Sequence, residues 1–128
     1  MQDSCHITVL LVDDNELYRK FLNKVLNKAF NCVVIEVGDP KEASEWLKEN
    51  MPSLIILDME MPIMDGYTYL KILRDNDKTK DIPVVVCTSL ASVDLVVRLV
   101  KLKIMDYIEK RTDPKIITEK LYKVLNQL

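Results

Sequence analysis

Residues 53–62 read Ser-Leu-Ile-Ile-Leu-Asp-Met-Glu-Met-Pro. Four large aliphatic residues stand together, with no polar residue alternating between them, and then run into a carboxylate. A short apolar run without alternation marks a strand covered on both faces, as in a parallel sheet. Similar runs occupy Ile7 to Val12, Cys32 to Val37 and Ile82 to Cys87, beside Ser53 to Leu57. Met105 to Glu109 is a weaker fifth.

The intervals between the runs carry helical patterns. Leu17, Phe21, Val25 and Ala29 recur every fourth residue, with Leu22 and Leu26 beside them. Asp39 precedes Pro40 and Glu42 in the pattern of a capping box with proline at the first helical position. Further helices are expected from Gly66 to about Asn76 and from Ala91 to Leu102. Asp113 and Pro114 open the last, where Ile117, Leu121, Val124, Leu125 and Leu128 make a stripe. Strands alternating with helices predict an α/β fold, a doubly wound five-stranded parallel sheet with helices on both faces. The 128 residues suit one domain, with no repeat or linker-like segment between parts.

Apolar residues make up 48% of the chain and charged residues 30%, as in soluble globular proteins. A net charge of -2 gives no basic footprint for nucleic acid, so direct binding to it is not expected. Cys5, Cys32 and Cys87 form no CxxC or Cys/His cluster. Cys32 and Cys87 read as small buried hydrophobes, and free thiols suit a reducing compartment. His6 reads as an exposed side chain. No signal peptide and no apolar run of roughly 18 residues is visible, so no membrane association and a cytoplasmic location are expected.

In open parallel sheets, ligands bind beyond the carboxyl ends of the strands. There the sequence places Asp13 and Asp14, then Asp58, then Thr88 and Ser89, then Lys110. Each alone reads as a cap, a turn or a surface residue; their joint placement does not. Three carboxylates brought together repel, and a hard divalent cation such as Mg2+ relieves the repulsion. The cation leaves one negative charge, which Lys110 balances. Such a site can take a phosphoryl group, whose transfer asks mainly for positioning and charge neutralisation. A carboxylate can also be the covalent nucleophile.

These segments together resemble the receiver domain of two-component response regulators, in the form of a chemotaxis-regulator-like single domain. The resemblance rests on Leu11-Val12-Asp13-Asp14-Asn15, Ile55 through Pro62, Met64-Asp65-Gly66, Pro83 through Ser89, and Asp106-Tyr107-Ile108-Glu109-Lys110. It implies a flavodoxin-like strand order 2-1-3-4-5. It implies Asp58 as phosphoacceptor, served by a sensor histidine kinase or a histidine phosphotransfer protein. It implies Mg2+ held by Asp14, Asp58 and the Glu60 backbone carbonyl, with Asp13 acting mainly through water. Lys110 would meet a phosphoryl oxygen, Thr88 would be the switch hydroxyl, and Tyr107 the aromatic that turns inward on activation. Glu60, with Ser89 and Leu90, falls where the family tunes the lifetime of the phosphate. Catalysis would be confined to self-phosphotransfer and self-dephosphorylation. The face of the fourth helix, fifth strand and fifth helix would carry the output, to a downstream target or a second copy of the chain.

Two departures stand out. Arg111 follows Lys110 where the family usually has proline, which predicts a trans peptide bond there. Lys103 and its neighbours replace the small residues common before the fifth strand, so the fourth helix should lack a glycine cap. That helix also carries two apolar stripes: Val93, Val96, Val97 and Val100, and Leu95, Leu99 and Leu102. One should face the sheet and the other a partner. Two other readings of the chain remain: a phosphate-independent interaction module, and a phosphohydrolase of the haloacid dehalogenase type using Glu60 as its second acid.

Overall fold

The computed structural model describes residues 7–128; Cys5 and His6 lie outside the described residues. The strands are β1 (Ile7–Val12), β2 (Cys32–Val37), β3 (Leu54–Asp58), β4 (Val84–Thr88) and β5 (Asp106–Glu109). The helices are α1 (Glu16–Ala29), α2 (Pro40–Leu47), α3 (Gly66–Asp75), α4 (Val93–Lys101) and α5 (Pro114–Asn126). The sheet is parallel throughout, in the order β2-β1-β3-β4-β5.

The unbroken aliphatic runs split between two cores by strict alternation. Leu10, Val12, Ile55, Leu57, Val84 and Val86 pack with Ala43, Leu47, Tyr69, Leu70, Leu73 and Leu99 of α2, α3 and α4. Val9, Leu11, Leu54, Ile56, Val85 and Cys87 pack with Leu22, Leu26, Ile117, Leu121, Val124 and Leu125 of α1 and α5. Both faces are therefore covered, as the lack of alternation requires.

Several boundaries move. β3 and β4 each run one residue further than the apolar pattern, because Asp58 pairs with Cys87 and Thr88 with Glu109. Ile82 belongs instead to a turn, its N–H bonded to the Thr79 carbonyl. Likewise β5 starts at Asp106 rather than Met105. α4 begins at Val93, capped by Ser92, whose side chain accepts from the Leu95 N–H. At α2, Asp39 accepts from the Glu42 N–H, but the Glu42 carboxylate returns no bond, so only half of the capping box forms. In α1 the buried seam is Leu22 and Leu26, while Leu17 is 81% exposed and Phe21 and Val25 are half-buried. Leu128 is exposed as well.

The end of α4 lacks a glycine cap, as expected, yet keeps the cap geometry. Lys103 adopts φ 59°, the left-handed conformation that glycine usually supplies. Its N–H bonds the Val100 carbonyl. Arg74 on α3 then donates to the carbonyls of Leu102, Lys103, Lys80 and Ile82. One guanidinium thus fastens the turn before β5 to α3 and to the approach to β4.

Candidate metal and phosphoryl site

The sheet delivers its polar residues to one edge. Asp13 and Asp58 are buried, at 3% and 1% exposure, and Asp14 is exposed. Carboxylate oxygens of Asp13, Asp14 and Asp58 lie within 4.8 Å of one another. Lys110 reaches in from the end of β5, with Nζ 2.8 Å from Asp13 Oδ2 and 3.3 Å from Asp58 Oδ1. Its backbone N–H bonds the Thr88 carbonyl, which fixes the loop. No peptide bond among the described residues is cis, so Lys110–Arg111 is trans as expected.

The two oxygens of Asp58 differ. Oδ1 accepts from the Glu60 N–H at 3.2 Å and faces Lys110, whereas Oδ2 is buried with no hydrogen-bond partner. An orphaned buried carboxylate oxygen is costly unless something meets it. The acidity of Asp58 reflects this. Burial, then the nearby Asp13 charge, push its carboxyl up to about 7, against the opposing pull of Lys110. Burial alone would lower the Lys110 ammonium, but Asp13 and Asp58 outweigh it and the net shift is upward. A divalent cation fits this donor set: oxygen ligands, excess negative charge and an unpartnered oxygen.

Thr88 is 1% exposed and ends β4 beside the acidic edge. Its hydroxyl donates to Glu60 Oε2 at 2.6 Å, with the Leu90 carbonyl a longer second acceptor at 3.4 Å. Glu60 Oε1 accepts from the Ser89 N–H at 2.8 Å and the Ser89 hydroxyl at 2.9 Å. Partial burial favours the neutral acid, yet these bonds outweigh it and hold the Glu60 carboxyl below its usual range. Glu60 is therefore neither free in solvent nor joined to the acidic cluster through its side chain. Leu90 is exposed. Tyr107 is half-buried against the α2–α4 core, with the Lys120 ammonium 4.6 Å from its ring centre.

Two contributors, Tyr18 and Arg19, escaped the sequence reading, and a third, Gly66, entered it only as a motif and helix-start residue. Tyr18 lies under the Lys110 ammonium, 4.6 Å from ring centre to Nζ. Burial, with Cys87 and Asp13 nearby, keeps its phenol protonated. Its place one turn into α1, just after the paired aspartates, was the available signal. Arg19 donates to the Asp13 carbonyl and pairs with Glu36 of β2 at 3.2 Å, tying three elements together. Gly66 acts through close approach: a Cβ there would stand 2.1 Å from the Asp58 carbonyl oxygen and 2.8 Å from Met59 Cα. Its N–H also bonds the Met59 carbonyl, so the start of α3 presses on the backbone that carries Asp58.

The sequence model of the response regulator receiver domain matches residues 9–122. The chain belongs to this family. It works as a signalling domain of two-component systems. A protein-glutamate methylesterase/protein-glutamine glutaminase 3 of Leptospira interrogans is 40% identical over 107 residues, which are 81% of this chain and 30% of that protein. The receiver chain thus spans under a third of that relative's length. The chemotaxis protein CheY4 of Vibrio cholerae superposes with a TM-score of 0.83 at 24% identity, over 94% of this chain and 99% of the other. The Mn(2+)-bound form of response regulator Rcp1 superposes with a TM-score of 0.80 at 26% identity, covering 92% of this chain and 91% of that one. No helix among the described residues is long and apolar enough to cross a membrane.

Proposed function

We propose that Asp58 accepts a phosphoryl group from a histidine kinase or a histidine phosphotransfer protein. The observation that carries the reading is the unpartnered, buried Asp58 oxygen beside two more carboxylates and the Lys110 ammonium. An Asp58 carboxylate oxygen attacks phosphorus, the P–N bond of the donor phosphohistidine breaks, and the neutral imidazole leaves. Asp13, Asp14, Asp58 and the Glu60 backbone carbonyl would hold Mg2+, which neutralises the charge that phosphorus brings. Lys110 would pair with a phosphoryl oxygen, and its aim at both buried aspartates supports this. Thr88 and Tyr107 would relay the state of Asp58 to the α4/β5/α5 face, where a downstream target or a second copy docks. The exposed Val93, Val97 and Val100 support that placement. Glu60, Ser89 and Leu90 would set how long the phosphate lasts. One receiver domain would take up residues 1–128, in the cytoplasm where an ATP-fed kinase works.

Incubation with Mg2+ and acetyl phosphate, followed by intact mass, tests this. The unsubstituted chain should gain one phosphoryl group and Asp58→Asn none. The proposal falls if the unsubstituted chain gains none and also fails to bind beryllofluoride, an inert phosphoryl mimic.

A further inference from the structure

A threonine hydroxyl has one proton to donate. In this structure Thr88 gives it to Glu60 Oε2 at 2.6 Å, a charge-assisted bond and among the stronger kinds. Neighbouring Ser89 gives both its N–H and its hydroxyl to the other Glu60 oxygen. One carboxylate thus joins the loop after β3 to the loop that leads into α4. Thr88 stands one residue beyond Cys87, the strand partner of Asp58, so Thr88 and Asp58 end neighbouring strands at the same edge of the sheet. An anionic group on Asp58 would compete with Glu60 for the single Thr88 proton, and both cannot have it.

We propose that Glu60 is a latch: its carboxylate holds Thr88 and Ser89 in the resting arrangement and sets the threshold for switching. The inference rests on the phosphoacceptor reading of Asp58. Phosphorylation pulls Thr88 inward only by breaking the Glu60 bond, and the Ser89 bonds keep the β4–α4 loop from following freely. Glu60 touches none of the reacting atoms through its side chain, so it is a positioning residue. A latch of this kind trades sensitivity for a quiet resting state.

Beryllofluoride titrations with Mg2+, followed by 19F NMR, separate the possibilities. Glu60→Ala should bind the mimic about tenfold more tightly than the unsubstituted chain, equivalent to about 1.4 kcal/mol. The same substitution in a Thr88→Val background should gain about twofold or less, because no hydroxyl remains to be released. Glu60→Asp keeps the charge but loses a methylene of reach, and should behave like Glu60→Ala. In the ligand-free protein the Thr88 methyl resonance should shift in Glu60→Ala, a readout that mere loss of stability does not produce. The latch is overturned if the unsubstituted chain binds the mimic and Glu60→Ala binds it no better. It is also overturned if the tenfold gain persists without the Thr88 hydroxyl, which would assign the effect to charge repulsion alone. Failure of the unsubstituted chain to bind at all removes the phosphoacceptor reading and the latch with it.

Discussion

α4 and α5 flank the same strand, β5, from opposite faces, and they are anchored very differently. α5 buries Ile117, Leu121, Val124 and Leu125, whereas α4 buries only Leu99. α4 instead leaves Val93 80%, Val97 50% and Val100 63% exposed. Its leucine stripe meets the core, with Leu95 and Leu102 partly buried, while most of its valine stripe meets solvent. The lesson is one of local stability. A helix held by one fully buried side chain opens or shifts at lower cost than one held by four. α4 also follows the loop that Glu60 grips and ends in the turn that Arg74 grips. It is fastened at its two ends more than along its length.

The largest effect should come from the well-anchored side. Leu121→Ala leaves a cavity in the α1/α5 core and should cost about 2–5 kcal/mol in urea unfolding. A cost under about 1 kcal/mol would erase the contrast between the helices. Next, Arg74→Ala removes the donors for four carbonyls and should cost about 2 kcal/mol. Amide exchange should rise at the end of α4 and leave α5 unchanged; equal gains in both would show a general loosening.

A smaller effect tests whether α4 is loose because the site is strained. The Asp58 carboxyl is raised, so ionising it costs the folded state. That penalty is absent below the unfolded carboxylate range near pH 4, grows as pH rises, and is complete above about 7. Without divalent metal, Asp58→Asn should therefore be more stable than the unsubstituted chain at pH 8, by on the order of 1 kcal/mol. The two should converge near pH 4, and Mg2+ should narrow the gap at pH 8. Exchange in α4 should persist in Asp58→Asn, because its looseness comes from its own few buried contacts. Smallest of all, Val97→Ser should change stability by under about 0.5 kcal/mol, as for an exposed position. A larger loss would mean that the valine stripe is already covered.

The layer architecture and the roster of polar residues at the sheet edge follow from the order of residue types alone. Uninterrupted runs such as Leu54 to Leu57 can be satisfied only by burial on both faces, and strand ends in a parallel sheet point one way. Asp13, Asp58, Thr88 and Lys110 were legible for that reason: each is tied to the end of a readable strand. Boundaries were less legible, because Asp58 and Thr88 are polar yet complete the ladders through backbone bonds that no apolar pattern records. The left-handed Lys103 and its Arg74 clamp were hidden too, since a lysine carries no local sign of that conformation. The direction of the Glu60 carboxylate, by contrast, depends on long-range contacts. Its partners on Thr88 and Ser89 are 28 and 29 residues away along the chain, and only the β3–β4 pairing makes them neighbours.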